Sequence, residues 1–165
     1  MMLKCNKGKT LHIFFFVFFF STVLFGQQAT LIKVDRLNAE IKNETEKIQV
    51  VNFWATWCGS CVKELHLFDA LGKDRNDVLV RLVSLDLDLN PDPKVVHRFI
   101  DKKKILSEVL ILDESNPNEW IDKVDSRWTG ALPATLVVNN KTGKRKFVQE
   151  MLTKESLDEL IQMVE

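Results

Sequence analysis

The sequence has little cysteine and no excess of charge of either sign. Its 165 residues carry 23 basic and 23 acidic side chains, so the formal net charge is zero. Without residues 1–26, which hold Lys4, Lys7, Lys9 and no acid, 20 bases would face 23 acids, a net charge of −3. No basic field remains that would bind nucleic acid. The hydrophobic content of 45% is ordinary for one globular domain.

The three cysteines cannot provide the disulfide staples that many exported domains use. Cys5 lies near the N-terminus, which leaves one pair, Cys58 and Cys61, separated by two residues. A disulfide that closes so short a loop removes little entropy from the unfolded chain. The segment Cys58–Gly59–Ser60–Cys61 is therefore expected to serve chemistry, either as a redox dithiol or as half of a metal site.

Further metal ligands are scarce. A closed zinc site needs four ligands, usually with a second pair at short spacing, whereas His66 and His97 are single and far apart. We expect no metal site, and a copper or zinc carrier that uses the cysteine pair is the alternative function. Asp86 and Asp88 alternate with leucines at the end of a predicted strand, without the spacing of a calcium loop. A solvated strand end is expected there.

The N-terminus has the plan of an export signal. Three lysines precede an uncharged apolar run of fifteen residues, Leu11 to Phe25, as is typical of a secretory signal peptide. Such a run forms a helix of roughly 22 Å, shorter than the roughly 30 Å hydrocarbon core of a bilayer. We predict export, with residues 1–26 as a signal peptide or an uncleaved membrane anchor and residues 27–165 as the folded domain.

Strands and helices alternate along the rest of the chain. Nearly continuous β-branched and aromatic runs predict buried strands at 47–54, 78–85, 109–112 and 134–138. Apolar residues at helical spacing predict helices at 35–46, from Ser60 to a stop at Gly72, after Pro93, at 116–124 and from Thr153 onward. A turn at 139–143 predicts a hairpin into a last strand, 144–149. The pattern predicts an α/β fold with a central mixed sheet flanked by helices.

The cysteine pair lies where a buried strand runs into a helix. A thiolate, not a thiol, attacks a disulfide, so the pKa of one cysteine must be lowered. Cys58 is at the predicted start of the helix, where unpaired N–H groups and the helix dipole favour negative charge. The spacing of three residues lets the Cys61 sulfur reach Cys58. We predict that Cys58, exposed at the helix tip, attacks, and that Cys61, lying deeper, resolves the mixed disulfide.

The segment VVNFWATWCGSC, residues 50–61, resembles the active-site segment of the thioredoxin superfamily. It is most similar to the periplasmic or membrane-tethered branch typified by TlpA and ResA, which favours Asn at the position of Asn52 and Glu at the position of Glu64. Leu132–Pro133–Ala134–Thr135 resembles the cis-proline loop of that family. The resemblance covers roughly residues 30–165 and implies a thioredoxin-like fold with an inserted strand–helix segment between the second and third core strands.

The resemblance also implies a surface for binding protein substrates. Pro133 would follow a cis peptide bond and would face the cysteine pair. The backbone of Leu132 would then be exposed to pair with an extended substrate strand. Trp57 would pack against Cys58 and form the docking surface.

Other roles implied by the resemblance concern protons and redox poise. Glu64 would be the buried proton handler for Cys61. Gly59, Ser60 and Asn52 would tune the reduction potential through the stability of the thiolate. Ser60 stands where this branch usually has proline, so the resemblance does not fix the potential.

The function that the resemblance implies is thiol–disulfide exchange, with the Cys58–Cys61 disulfide as the redox group and no other cofactor. The expected direction is reduction of disulfides in partner proteins, apocytochrome c cysteines among them, by a domain recharged by a membrane thiol carrier. An oxidase or an isomerase would use the same residues, because direction depends on the reduction potential. The expected location is the periplasm or the outer face of the cytoplasmic membrane, with membrane contact only through an uncleaved N-terminal segment. The metal carrier and a redox-sensing domain without turnover are the other hypotheses.

Overall fold

The structure is a computed structural model that describes residues 29–44 and 46–165. The predicted export signal, residues 1–26, lies outside the described residues. Within the described part, no helix is long and apolar enough to cross a membrane.

Strands and helices alternate along the described chain, as the sequence predicts. The strands are β1 (Thr30–Ile32), β2 (Ile48–Trp54), β3 (Val78–Ser84), β4 (Glu108–Leu112), β5 (Ala134–Asn139) and β6 (Lys144–Val148). The helices are α1 (Val34–Asn43), α2 (Gly59–Asp74), α3 (Lys94–Lys103), α4 (Pro117–Val124) and α5 (Lys154–Val164). A short 3-10 turn, Asp86–Asp88, follows β3.

The described strands form one mixed sheet in the order β1-β4-β3-β2-β5-β6. The first four strands in this order are parallel, whereas β5 is antiparallel to β2 and β6 is antiparallel to β5. This is the thioredoxin-like α/β fold that the sequence predicts. The predicted insertion falls between β3 and β5, where the chain forms α3, β4 and α4, and β4 enters the sheet between β1 and β3. The sequence does not predict β1, because three residues are too few to show a strand periodicity.

The central strand β2 carries the chain to the cysteine pair. All seven of its residues are buried, because β3 and β5 flank it and hydrophobic clusters cover both faces of the sheet. Alternation along the strand places Val50 and Trp54 in the cluster that contains both cysteines, and Val51 and Phe53 in the other. Asn52 therefore faces the side of the sheet on which the cysteines lie.

Helix α2 is longer than the sequence predicts. The helix was expected to stop at Gly72, but it continues to Asp74. A Cβ at Gly72 would lie 3.5 Å from Cγ2 of Val80 on β3. That distance is an ordinary van der Waals contact, so Gly72 neither ends the helix nor is required by its packing on the sheet.

Helix α5 begins with a complete capping box. Thr153 Oγ1 accepts a hydrogen bond from the Ser156 backbone N–H at 3.3 Å, and Ser156 Oγ accepts one from the Thr153 N–H at 2.9 Å. Ser156 stands where Glu or Gln is typical of this motif, so the sequence does not predict a complete capping box. The serine hydroxyl nevertheless closes the second bond, which fixes where the helix starts.

Candidate active site

Cys58 and Cys61 form a disulfide at the N-terminus of α2, with an S–S distance of 2.03 Å. Cys58 is the N-cap of the helix, and its Sγ accepts a hydrogen bond from the Cys61 backbone N–H at 3.3 Å. The Ser60 hydroxyl lies 3.4 Å from the same sulfur. Helix N-termini and N–H donors stabilise negative charge. The site therefore favours a thiolate at Cys58 when the pair is reduced.

The two cysteines differ in their access to solvent. Cys58 is 8% exposed and Cys61 is fully buried, so the prediction that Cys61 lies deeper is confirmed. Cys58 is much less exposed than predicted. Both cysteines belong to a hydrophobic cluster, and Leu132 packs against it. Of the two residues, only Cys58 can be reached by a partner.

Trp57 and the Leu132–Pro133 loop flank the pair. Trp57 directly precedes Cys58, and 52% of its surface is exposed. The Leu132–Pro133 bond is cis, as the resemblance implies, Pro133 is buried, and Leu132 is half-buried. Ala134, the first residue of β5, is in register with Phe53 on β2, so the loop meets β2 at the end that leads to the cysteines. Trp54, by contrast, is fully buried core.

Glu64 lies on α2, one helical turn after the pair, and is only 1% exposed. Its Oε1 accepts a hydrogen bond from Asn52 Nδ2 at 2.9 Å, and its Oε2 accepts one from the Leu152 N–H at 2.6 Å. Burial raises the pKa of Glu64 above its ordinary value, although the two hydrogen bonds oppose the shift. The residue also lines a surface groove together with the exposed His66.

Asn52 joins three elements on the face of the sheet that holds the cysteines. It is fully buried on β2. Besides its bond to Glu64, its Nδ2 donates to Thr135 Oγ1 on β5 at 3.0 Å. Its Oδ1 has no hydrogen-bond partner among the described residues. Asn52 thus holds the Glu64 carboxyl in a fixed position relative to the Leu132–Pro133 loop.

Asp86 is a site residue that the sequence does not reveal. The expectation of a solvated strand end is wrong for Asp86, which is 1% exposed in the 3-10 turn. Its carboxylate accepts hydrogen bonds from the Thr56 N–H at 3.0 Å, from the Thr56 hydroxyl, and from the Ser84 hydroxyl at 2.7 Å. Because β2 and β3 are parallel neighbours, their carboxyl ends meet at one edge of the sheet. From the adjacency of these two strand ends, the sequence could have predicted that Asp86 lies beside the loop before Cys58.

The remaining candidates have structural surroundings. Trp120 and Trp128 are buried in the cluster on the other face of the sheet and contact each other edge to face. A Cβ at Gly59 would meet nothing within 4 Å, so the site has steric room for a side chain there. In the described residues, no group of three or more His, Cys, Asp or Glu side chains is arranged to hold a metal ion.

The fold and the disulfide at a helix N-terminus define a thioredoxin-like domain. The thioredoxin family profile matches residues 28–99, and the chain is similar to members of the thioredoxin superfamily. Its similarity to the ResA proteins of that superfamily extends along most of the chain. The thiol-disulfide oxidoreductase ResA of Oceanobacillus iheyensis is 26% identical over 127 residues, which cover 76% of this chain and 62% of ResA.

Two further comparisons show how far the similarity extends. The thioredoxin of Ictalurus punctatus is 36% identical over 61 residues, 35% of this chain, so the chain spans only 57% of that thioredoxin's length. The crystal structure of a thioredoxin-related protein from Neisseria meningitidis serogroup B has a TM-score of 0.62 at 23% identity, and the match covers 73% of this chain and 87% of that one. At this identity the structural likeness shows the fold.

Proposed function

We propose that this protein is a thiol–disulfide oxidoreductase that acts on partner proteins, and that it works as an exported reductase. The observation that carries the proposal is the Cys58–Cys61 disulfide at the N-terminus of α2, with Cys58 as the residue that a partner can reach. A disulfide so placed closes a loop too short to stabilise the fold by chain entropy. Its position at a helix N-terminus instead favours a thiolate, which exchange chemistry requires.

The exchange has two steps. In the reduced protein, the Cys58 thiolate attacks one sulfur of a partner disulfide, forms a mixed disulfide and releases the partner's other sulfur as a thiolate. Cys61 then loses its proton, attacks the Cys58 sulfur, and closes the internal disulfide, while the partner leaves as a second thiolate. The partner gains two electrons and the pair loses two. A dithiol donor, for which we propose a membrane thiol carrier, restores the pair by the reverse exchange.

Glu64 is proposed as the acceptor of the Cys61 proton. A carboxyl whose pKa is raised by burial is better matched to a thiol near neutral pH than an ordinary carboxylate. Asn52 and the Leu152 N–H hold the acceptor still. The groove beside His66 then lets the proton pass to solvent.

Substrate binding is proposed for the surface around Cys58. Trp57 supplies exposed aromatic area directly beside the attacking residue. Leu132 precedes β5 and lies outside the strand, which supports a role for its backbone in pairing with an extended substrate segment. Gly59, Ser60 and Asn52 are proposed to tune the potential, and of these Ser60 is in contact with the Cys58 sulfur.

The cellular setting is proposed from the N-terminal sequence. Basic residues followed by an apolar run support export, and the periplasm or the outer face of the cytoplasmic membrane is the proposed location. Disulfides in exported proteins, apocytochrome c cysteines among them, are the proposed substrates.

Trapping of the mixed disulfide tests the proposal. In a Cys5→Ser background, the Cys61→Ser variant should form a covalent complex with a reducible disulfide protein such as insulin, because the resolving sulfur is missing. The complex should dissociate on treatment with dithiothreitol. The matched variant, Cys58→Ser in the same background, should form none. Equal trapping by both variants, or failure of the unmodified protein to accelerate insulin reduction by dithiothreitol, would contradict the proposal.

A further inference from the structure

Asp86 is a buried acid whose contacts lead to the loop before Cys58, and the exchange steps leave it without a role. Three donors surround its carboxylate, namely the Thr56 N–H, the Thr56 hydroxyl and the Ser84 hydroxyl. The Ser84 hydroxyl oxygen in turn accepts from the Asp86 N–H at 3.2 Å, so its proton is free to point at the carboxylate. Among these contacts the Asp86 side chain acts only as an acceptor.

The segment that Asp86 holds is the connection between β2 and α2, residues 55–58. At its start the Leu85 N–H donates to the Trp54 carbonyl at 2.9 Å, and at its end the Cys58 N–H donates to the Ala55 carbonyl at 3.1 Å. Between these points Thr56 is bound through both its backbone and its side chain to Asp86. The position of Cys58 at the tip of α2 therefore depends on a contact made two residues earlier.

We propose that Asp86 is a positioning residue for the exchange reaction, which acts through Thr56 to hold Cys58 at the N-cap of α2. The proposal rests on the function proposed above. Stabilisation of a Cys58 thiolate depends on the direction of the Cys61 N–H and of the helix N-terminus. A connection that is free to move keeps this geometry for only part of the time. Loss of the Asp86–Thr56 contact thus raises the pKa of the Cys58 thiol and slows its attack.

A double-mutant cycle tests the contact. The variants are Thr56→Val, Asp86→Asn and their combination, and the readouts are the pKa of Cys58, from thiolate absorbance, and the rate at which the reduced protein attacks oxidised glutathione. Thr56→Val should raise the Cys58 pKa and slow the attack about five- to tenfold, as expected for loss of a hydrogen bond to a charged group. In the Asp86→Asn background the same change should cost less than about twofold, since contacting residues are not additive. Thr56→Ser should restore the rate.

Two control variants separate positioning from general stability. Ser84→Ala removes the other hydroxyl from Asp86 but leaves both Thr56 contacts. Ser107→Ala removes a hydroxyl that donates to the Asp69 carboxylate at 2.6 Å, a contact of the same kind, and Asp69 lies about 16 Å along α2 from its N-terminus. Neither control should change the Cys58 pKa, although both lower the thermal midpoint.

The outcomes distinguish this proposal from the proposed function. If Thr56→Val changes only the thermal midpoint, or has the same effect with and without Asp86, the positioning role is wrong while the oxidoreductase proposal stands. If Asp86→Asn does not fold, the comparison of Thr56→Val with Thr56→Ser decides alone: equal Cys58 pKa values and rates overturn the proposal. If the parent protein attacks glutathione but reduces no protein disulfide, the proposed function fails and the role of Asp86 is still tested.

Discussion

At the scale of single residues, Glu64 has the most unusual environment of the candidate site. Its carboxyl is almost completely removed from water, yet both oxygens accept hydrogen bonds. Burial opposes ionisation and the hydrogen bonds favour it, and the balance raises the pKa. The carboxyl of Glu64 therefore holds its proton to a higher pH than an ordinary glutamate does.

Replacement of Glu64 by Gln tests its role as proton acceptor. The resolving step should slow by on the order of tenfold at neutral pH, below the hundredfold or more typical of general bases, because water also removes the Cys61 proton. The pH profile of that step should lose the inflection that Glu64 contributes above the usual carboxyl range. Stopped-flow measurement of partner release from the mixed disulfide gives the rate. An unchanged profile would show that Glu64 carries no proton in the reaction.

Stability measurements on the same variant provide a check on burial. Because the folded-state pKa of Glu64 is raised from about 4.5, its contribution to stability is fully present below the unfolded value. That contribution is lost as pH rises through the folded value. Glu64→Gln should therefore lose less stability than the parent between acid and neutral pH. Glu119→Gln, a change at an exposed glutamate on α4, should follow the parent in both experiments.

Ser60 provides a test of how the residues between the cysteines set the potential. Its hydroxyl lies 3.4 Å from the Cys58 sulfur, so it can donate to a thiolate and stabilise the reduced form. Ser60→Ala should raise the Cys58 pKa and make the potential more negative by about 20 mV, the equivalent of one ordinary hydrogen bond. Gly59→Ala is the control, because its added Cβ meets nothing within 4 Å. A shift in the positive direction for Ser60→Ala would contradict this role.

At the scale of secondary-structure elements, strands were easier to predict than helix ends. The predicted buried strands end within one residue of β2, β3, β4 and β5, because continuous apolar runs stop where burial stops. Helix α1 ends three residues before the predicted 46, since the Glu44 side chain accepts from the Glu46 and Lys47 N–H groups and closes a local turn. The position of such a turn depends on local side-chain hydrogen bonds, which the spacing of apolar residues does not reveal.

Part of the candidate site could also be predicted from the sequence and part could not. The cysteine pair, Trp57 and Pro133 lie in short motifs that identify them as site residues. Asp86 does not, because its role arises from the adjacency of β2 and β3, which brings the end of one strand to the loop after the other. The sequence also suggested an acidic strand end in water, whereas three hydrogen-bond donors allow that acid to be buried.

The capping box of α5 provides a test at this scale. Thr153→Ala removes the side-chain acceptor for the Ser156 N–H and should lower the free energy of unfolding by about 1 kcal/mol, as caps typically contribute. Thr153→Ser keeps the acceptor and should remain within a few tenths of the parent. Urea unfolding followed by circular dichroism measures both. Equal stability of the alanine and serine variants would show that the box contributes nothing.

At the scale of the whole molecule, Asp125 ties the end of α4 to the edge of the sheet. It is 8% exposed, and its carboxylate accepts hydrogen bonds from Arg127 at 2.8 Å and from Arg145 on β6 at 3.4 Å. The Arg127 guanidinium, with a smaller contribution from Arg145, holds the pKa of Asp125 below its usual range. The C-terminal hairpin is thus attached to the helical layer by charge as well as by packing.

This attachment predicts how stability depends on acid. A carboxyl with a lowered folded-state pKa contributes stability above the unfolded value near 3.8, and that contribution is lost as pH falls through the folded value. Asp125→Asn should lower the free energy of unfolding at pH 7 by about 2 kcal/mol, the typical value of hydrogen bonds to a charged group. The difference from the parent should shrink below about pH 4. A constant difference from pH 7 to pH 2 would contradict the assignment.

The fold places one reducible pair at the end of its central strand, and the direction of electron flow is the central claim about it. The reduction potential of Cys58–Cys61 tests that claim most directly. It can be measured against dithiothreitol or glutathione buffers with tryptophan fluorescence, since Trp57 directly precedes the pair. A reductase predicts a value near that of thioredoxin, about −270 mV, or lower. A value near −120 mV, that of a strong oxidant, would contradict it.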